Sequence, residues 1–469
     1  MHERRAEMSE KTYPYIPNSN PKVKKQMLDF LGIQSVSELT DFIPDSLVLK
    51  QPMNLPNPKE SEYELKKYVQ HILDEDVTVD EVRASFLGAG CYDHYIPAVV
   101  DEIGQRSEFV TAYSGDTYAD HGKQQAFFEF SSMMGELVGM DVVGFPTYDG
   151  GQAAATSMMM SGRITGRKQI LVPESVNPQL WSIFTNYCEG MELIKVKCGG
   201  NGQIDLDDLK GKCNDQTACV WLANPSFYGF FEENAPEVGK MAHQHGAVFV
   251  IYADPSSLGV AAAPADYGAD IVCGDIQPLG IHMNFGGGQG GYIAFRDEEK
   301  YVMNYPGHLH QIYFNPDGQF GFGRAFPERT SYYRREKGVE YLGTCVGLWT
   351  VTAAVYLAVM GAAGMQKLGT NILAKSAYAQ QELNKIRGIK LPFSASESFM
   401  EFVVNFDETG KSVAEINQEL LRRKILGGYD LSKEKMELGQ SMLVCVTEKT
   451  EKEQIDDLAN ALRAILQEE

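Results

Sequence analysis

The sequence predicts an α/β protein with a mostly parallel sheet, followed by a small C-terminal α+β domain. Short apolar runs rich in β-branched residues recur about every 20–30 residues, with helical segments such as 124–139 and 236–245 between them. Uniformly apolar strands that alternate with helices are typical of a parallel sheet buried on both faces. The predicted strands are 168–172, 192–196, 218–222, 247–252 and 270–273.

Beyond residue 345 the alternation gives way to a mixed pattern. The apolar segment 349–364 is shorter than the ~20 residues that a membrane span needs, so we expect a core helix or a subunit contact. A long amphipathic helix, about 365–387, follows it. The remaining predicted elements are strand 399–405, helix 412–423, strand 441–446 and a helix from Lys452. The predicted organisation is an N-terminal arm (1–75), a large α/β domain (76–345), and a connecting helix with the small domain (346–469).

Composition excludes several classes of function. The 469 residues include 63 Asp+Glu and 42 Lys+Arg, giving a formal net charge of −21, whereas a nucleic-acid surface needs clustered cations. The first 25 or so residues carry charges throughout and no apolar run, so no secretory signal is predicted. The eight cysteines are scattered without a C-x-x-C pair, which predicts reduced thiols and no metal site. We therefore expect a cytoplasmic protein that binds neither nucleic acid nor membrane.

Asp254 is the most informative single residue. It follows the apolar run 247–252, and the carboxyl ends of parallel strands are where α/β folds place ligand-binding groups. In pyridoxal-phosphate enzymes with the aspartate aminotransferase fold, an Asp in this setting pairs with the pyridinium nitrogen. The alternative is a strand-terminating Asp that caps the next turn.

A lysine that the same fold requires is absent. In those enzymes a Lys holds the cofactor about 20–30 residues beyond the Asp, one strand later. Here the segment 269–282 contains no Lys, and Lys300 lies too late, in a charged surface-type run. Gln277 stands where a lysine-bearing loop would begin, and we interpret it as structural. If the fold is of this type, the chain is either a non-catalytic partner or half of a site completed by another subunit.

Many short motifs along the chain occur together in one known family. They include 15–18 (YIPN), 86–90 (FLGAG), 92–97 (YDHYIP), 148–150 (YDG), 224–227 (NPSF), 274–280 (GDIQPLG), 334–337 (RREK) and 425–431 (ILGGYDL). The motifs occur in this order and spacing along nearly the whole chain. By them the chain resembles subunit 1 (the alpha chain) of the two-chain, decarboxylating glycine dehydrogenase. This family comprises the P-proteins of the glycine cleavage system, and its alpha chain also lacks the cofactor lysine.

The resemblance implies a fold and a role. The fold would be aspartate-aminotransferase-like, that is, fold type I of the pyridoxal-phosphate proteins. The beta subunit (subunit 2) would bind pyridoxal phosphate covalently, glycine would be decarboxylated there, and the aminomethyl group would pass to the lipoyl group of H-protein. This chain would pack on beta in a heterotetramer, help to shape the site at their interface, and be inactive alone.

Candidate site residues follow from the resemblance. No catalytic residue is expected in this chain, and Asp254 would mark a vestigial cofactor site. The loop 113–125 departs from the family, because both family prolines and a Glu are missing and His121 and Lys123 are new. The candidates for substrate or interface contacts are Tyr113, His121, Gly122, Tyr148, Asp149 and Arg335.

Each of these assignments has an alternative. His121 would otherwise be a surface residue, and Arg335 would pair with Glu336 or Glu340, although its planar fork suits a substrate carboxylate. The glycine-rich stretch 286–291 lacks a Gly-Lys-Ser/Thr ending, which favours a packing turn over a phosphate loop. The altered loop also leaves two other functions open. One is a paralogous pyridoxal-phosphate complex for another small amino acid or acceptor, and the other is a non-catalytic binding or regulatory homologue.

Overall fold

A computed structural model describes residues 12–13, 15–49, 51, 53–59, 61–110, 121–287, 289–329, 331–338, 346–434, 436 and 438–467. Their contacts separate the chain into two compact units, one ending at Asp76 and the other beginning at Val77. The domain boundaries that the sequence suggests, at residues 75 and 345, stay predictions.

The described helices of both units are as follows. They are α1 (Pro21–Leu31), α2 (Glu62–Leu73), α3 (Ala98–Gly104), α4 (Ser107–Val110), α5 (His121–Val138), α6 (Gly150–Thr165), α7 (Pro178–Tyr187), α8 (Leu206–Lys212), α9 (Ala235–Gln244), α10 (Glu299–Val302), α11 (Ser331–Arg334), α12 (Gly347–Leu383), α13 (Val413–Arg422) and α14 (Lys452–Gln467).

The described strands all lie in the second unit. They are β1 (Ala84–Ser85), β2 (Val142–Thr147), β3 (Gln169–Pro173), β4 (Glu192–Val196), β5 (Thr217–Ala223), β6 (Val248–Tyr252), β7 (Ile271–Asp275), β8 (Gly291–Phe295), β9 (His310–Phe314), β10 (Phe320–Arg324), β11 (Glu401–Asn405), β12 (Ile425–Leu426), β13 (Tyr429–Asp430) and β14 (Ser441–Cys445).

The first unit owes its helices to local capping. The side chain of Asn20 accepts hydrogen bonds from the first turn of α1, and that of Ser61 accepts one from the first turn of α2. Gly32 ends α1 in the left-handed conformation, with φ of 70°. Neither helix contains a buried residue.

A seven-stranded sheet organises the second unit, in the order β2-β8-β7-β6-β5-β3-β4. The contacts from β7 through β4 are parallel, whereas β8 runs antiparallel to both of its neighbours. The predicted mostly parallel α/β fold is therefore confirmed, and the predicted strands match β3 to β7 within two residues at each end. The antiparallel strand β8 was not predicted.

Both faces of this sheet are covered, which explains why its strands lack polar alternation. In β5, Cys219 and Trp221 belong to one buried cluster, while Val220 and Leu222 belong to another on the opposite face. All four are at most 1% exposed. Successive side chains of a strand point to opposite faces, so a strand covered on both sides must be apolar throughout.

The C-terminal part has the predicted α+β composition. Its antiparallel sheet has the order β11-β14-β13, and α13 and α14 pack with it in one hydrophobic cluster. The short strand β1 joins this part by pairing in parallel with β12, Ala84 opposite Ile425. Residues that precede the large sheet in sequence are thus bonded to residues near the end of the chain.

Helix α12 connects the two parts and consists of two helical segments that meet at Gly361, whose backbone is not helical (φ of 58°, ψ of −178°). Two segments, 349–364 and 365–387, were predicted, and the observed break lies three residues before the predicted boundary. Residues 350–357 lie largely in the core, as predicted, whereas Val359 is 49% exposed. Among the described helices, α12 alone is long and apolar enough to cross a membrane by length and composition, and 44% of its most apolar stretch is buried inside the fold.

Candidate functional site

A cavity opens at the carboxyl edge of the large sheet, between that sheet and the start of β11. Its wall includes Tyr92, Asn177, Asp254, Asp275, Pro278 and Glu401. None of the described residues that line it is a Lys, Arg or His. The described part of the wall therefore carries three carboxyl groups and no basic side chain.

Asp254 lies just beyond the end of β6. Its Oδ1 accepts hydrogen bonds from the backbone N (2.8 Å) and the hydroxyl (2.7 Å) of Ser256, which is the capping role of the alternative reading. Its Oδ2 is buried and has no hydrogen-bond partner among the described residues. Burial raises the pKa of this carboxyl group, because a desolvated carboxylate is costly. Asp254 thus caps a turn with one oxygen, and the other is left unpartnered in a residue that lines the cavity.

Two further acids close the start of α6. Asp275 ends β7, and its Oδ2 accepts a hydrogen bond of 2.9 Å from the backbone N of Gly150. Asp149 is the N-cap, and its Oδ1 accepts one of 2.7 Å from the backbone N of Gln152. Burial raises the pKa of Asp275 to about 7, and the charges of Asp149 and Asp254 act in the same direction. The start of α6 is therefore occupied by the chain's own carboxyl groups.

Glu401, the first residue of β11, is the carboxyl group that the C-terminal part contributes to the cavity wall. Its Oε1 accepts a hydrogen bond of 2.6 Å from the backbone N of Ala89, and its Oε2 accepts one of 2.9 Å from the Tyr92 hydroxyl. The residue is 3% exposed, and burial raises the pKa of its carboxyl group to about 7. A buried acid at the first position of β11 thus fixes the 89–92 loop against the small domain.

His94 and Glu448 form a buried pair nearby. The Nδ1 atom of His94 lies 2.8 Å from Oε2 of Glu448, and the other carboxylate oxygen accepts a bond from the backbone N of Tyr95. Burial is the largest single effect and opposes a charge on His94, but the hydrogen bond to Glu448 together with the charges of Glu448, Asp254 and Asp93 outweighs it, so the pKa of His94 is raised. The charge of Asp254 adds to this effect, which couples the pair to the cavity.

Glu401 makes a testable contribution to pH dependence. Its pKa of about 7 in the folded chain exceeds the ordinary value of 4.5, so between these values the folded state binds the extra proton. Stability from this group is present below the unfolded value and is lost as the pH rises through about 7. In the wild type this group makes the unfolding free energy fall between about pH 5 and pH 8. We expect that fall to be smaller by about 2 kcal/mol in Glu401→Gln.

Urea denaturation across that pH range measures this slope. The exposed Glu397, changed to Gln, is the matched control and should leave the slope unaltered. Equal slopes for the wild type and Glu401→Gln would contradict the assignment.

The structure brings only some of the predicted candidates near the cavity. Asp254 lines it and Asp149 adjoins it through α6, whereas Tyr148 is 56% exposed and Arg335 is an exposed residue of a short 3-10 turn. Tyr113 and the loop 111–120 lie outside the described residues. His121 and Gly122 are the first residues of α5, and their side chains also lie outside the description. The roles of all these candidates stay predictions.

Several cavity residues were not singled out from the sequence. Asp275 obeys the same rule that selected Asp254, since it ends the neighbouring parallel strand, so this rule could have found it. Glu401 had a weaker signal, a lone acid at the head of an apolar strand. Tyr92 lay within a quoted motif, but nothing local indicated that it would meet Glu401. Gln277, interpreted as structural, bonds through its amide to the backbone of Tyr92 and Ile281.

The cavity does not fit pyridoxal phosphate held by this chain. The unpartnered oxygen of Asp254 suits a pyridinium nitrogen. However, no lysine among the described residues lines the wall to form a Schiff base, and the carboxyl groups of Asp149 and Asp275 occupy the helix terminus that would hold a phosphate. One feature of a cofactor site remains, and two are missing.

Comparisons with known proteins agree with this geometry. The family model of the glycine cleavage system P-protein matches residues 14–462. The chain is 38% identical over 457 residues to the probable glycine dehydrogenase (decarboxylating) subunit 1 of Pyrococcus furiosus, covering 96% of this chain and 99% of that protein. It is 37% identical over 453 residues to the protein of the same name from Bacillus thuringiensis subsp. konkukian.

Solved structures show the same fold. The crystal structure of a glycine decarboxylase (P-protein) of the glycine cleavage system, in inhibitor-bound form, is similar with a TM-score of 0.84 and 28% identity, over 97% of this chain and all of that one. A sphingosine-1-phosphate lyase from Burkholderia pseudomallei has a TM-score of 0.64 at 12% identity, over 88% of this chain and 92% of that one. The latter likeness concerns the fold alone.

Sheet order, the antiparallel β8 and the position of Asp254 define an aspartate-aminotransferase-like protein, of fold type I among the pyridoxal-phosphate proteins. The predicted fold class is confirmed. Within that class, the chain belongs to the glycine cleavage system P-protein family.

Proposed function

We propose that this chain is subunit 1 of a two-chain glycine decarboxylase, as its relatives' names state for them. One observation carries the proposal: similarity to subunit 1 proteins over nearly the whole chain coincides with a cavity whose described wall has no lysine. The second subunit then binds pyridoxal phosphate, which when bound supplies the electron sink for decarboxylation. The aminomethyl group passes to the lipoyl group of H-protein.

In this proposal the chain's own residues shape the cavity and contact the substrate or the partner subunit, and none of them takes part in the reaction as a catalytic residue. The carboxyl-edge cavity is held by Gln277 and Glu401, which fix the 89–92 loop between the large sheet and β11. The exposed Tyr148 and Arg335 are the described candidates for contacts with the partner subunit or the substrate. A planar guanidinium can bind the glycine carboxylate through two parallel hydrogen bonds.

Reconstitution tests the proposal. The full chain, its candidate second subunit and their complex are each assayed for glycine-dependent exchange of carbon dioxide with lipoyl-bearing H-protein. We expect exchange only from the complex and a colourless chain when it is purified alone. Exchange with another small amino acid but not glycine would favour a paralogous complex, and failure to form any complex would favour a binding or regulatory homologue.

Arg335 provides a sharper test within that complex. Its backbone has φ of 51°, a strained conformation for a non-glycine residue. Its guanidinium makes no ion pair with Glu336 or any other described residue. We expect Arg335→Ala to raise the KM for glycine about 10-fold, the effect of losing one charge-assisted contact. Arg335→Lys should fall between, because it keeps the charge without the fork.

The adjacent Arg334 is the matched control. It is also exposed, and Arg334→Ala should change the KM less than about twofold, since it removes the same charge one residue away. If both alanine variants raise KM equally, the effect is one of net charge, and the assignment to Arg335 is wrong.

A further inference from the structure

The start of α6 is by its geometry an anion site. A helix of 16 residues presents unsatisfied backbone N–H groups and the positive end of its dipole at the first turn. This turn adjoins the cavity, because a Cβ placed on Gly150 would meet the Tyr252 hydroxyl and lie 2.9 Å from the backbone N of Asp275. A phosphate at this edge of the sheet would be bound here.

The chain fills this site with its own groups. Gly150 donates its N–H to Asp275 and Gln152 donates to Asp149, so the first turn already faces two carboxyl groups. Thr147 fixes the N-cap further by donating its hydroxyl to the carbonyl oxygen of Asp149, at 2.6 Å. A phosphate would have to displace these acids or lie against their negative charge, and the described part of the wall offers no basic side chain to offset it.

Position 278 is the best place to introduce a lysine. In the turn that follows Asp275, Pro278 lines the cavity, whereas the Gln277 side chain hydrogen-bonds to the backbone of Tyr92 and Ile281. The backbone of a lysine at position 278 would therefore lie in the cavity wall.

We infer that Asp149 and Asp275 exclude the phosphate group of a cofactor from the start of α6 independently of the missing lysine, so a lysine at position 278 alone does not restore preferential binding of a phosphorylated cofactor. The inference concerns the isolated chain and goes beyond the proposed activity of the complex. The chain has then lost the phosphate end of a cofactor site as well as its covalent anchor.

The test compares pyridoxal phosphate with unphosphorylated pyridoxal on the full chain. Each aldehyde condenses with a lysine amine and releases water, giving a yellow Schiff base that borohydride reduces. The variants are Pro278→Lys alone, the same change with Asp275→Asn, and the same change with Asp149→Ser and Asp275→Asn. The control combines Pro278→Lys with Asp207→Ser and Asp215→Asn, which removes two exposed acids elsewhere.

We expect Pro278→Lys and its control to bind both aldehydes with similar, weak affinity. The variant lacking both cavity acids should prefer the phosphorylated aldehyde by about 100-fold, and inorganic phosphate should compete only in that variant. The variant with Asp275→Asn keeps the hydrogen bond from Gly150 and should show about a 10-fold preference.

Two results would overturn the inference. One is a clear preference of Pro278→Lys alone for pyridoxal phosphate. The other is a variant that lacks both acids, folded by circular dichroism, with no more phosphate preference than the control. Because no second subunit is present, either outcome leaves the proposed activity of the complex to its own test.

Discussion

Gly229→Ala should lower the free energy of unfolding by about 3 kcal/mol or more, or prevent recovery of folded chain. Gly229 has φ of 91°, which costs a residue with a Cβ roughly 1–2 kcal/mol, and the added Cβ would overlap the carbonyl oxygen of Glu401. The backbone cannot retreat easily, because Gly229 accepts a hydrogen bond from the backbone N of Phe399. The close approach joins the large sheet's loop to β11.

Urea denaturation measures this effect, and Gly211 is the matched control. A Cβ on Gly211 meets nothing within 4 Å, and its φ is not positive. We expect Gly211→Ala to be neutral or to stabilise by up to about 1 kcal/mol, since alanine reduces the entropy of the unfolded chain. Similar stability for both variants would show that the contact at Gly229 relaxes readily.

The second large effect is expected at Gln277. Its side chain is 1% exposed and makes three hydrogen bonds, accepting from Tyr92 N (3.0 Å) and donating to Tyr92 O (2.8 Å) and Ile281 O (3.0 Å). Gln277→Ala leaves these buried backbone groups without their partner, so we expect a loss of about 2–4 kcal/mol in the free energy of unfolding.

Gln244 offers a control for this substitution. It is exposed at the end of α9, and Gln244→Ala should cost no more than about 0.5 kcal/mol. Thermal and urea unfolding of the two variants decide the matter. A loss at Gln277 as small as at Gln244 would mean that its network contributes little to the fold.

The large sheet could be read from the sequence because burial on both faces leaves a clear local signal. Strands such as β5 must be apolar at every position, and helices of the right length separate them. The antiparallel direction of β8 could not be predicted in this way, because an apolar run looks the same whether its strand pairs in parallel or antiparallel. The break in α12 was predicted at residue 364 and lies at Gly361; Gly361 and Gly364 both occur in this stretch, and the local pattern does not show which of them interrupts the helix.

The site residues could be predicted only where their position at the end of a strand was visible in the local sequence. Asp254 was found because its position after β6 is a local feature, and the missing lysine because the fold sets a fixed interval. The sealing of α6 by Asp275 depends on two residues 125 positions apart, and the Glu401–Tyr92 bond joins residues 309 apart. Such pairings arise from tertiary packing, and a single sequence does not encode them in any local pattern.

The pairing of β1 with β12 has a consequence for synthesis. Ala84 finds its partner Ile425 only after ~340 further residues have been made, which takes about 20–70 s at 5–20 residues per second. During this time the backbone groups of Ala84 and Ser85 lack their partners in β12. The backbone N of Arg83 likewise lacks its acceptor, the carbonyl oxygen of Lys424. The pairing of β1 with β12 therefore forms only after residues 425 and 426 have been made, and a chain terminated before them leaves the backbone of β1 without this partner.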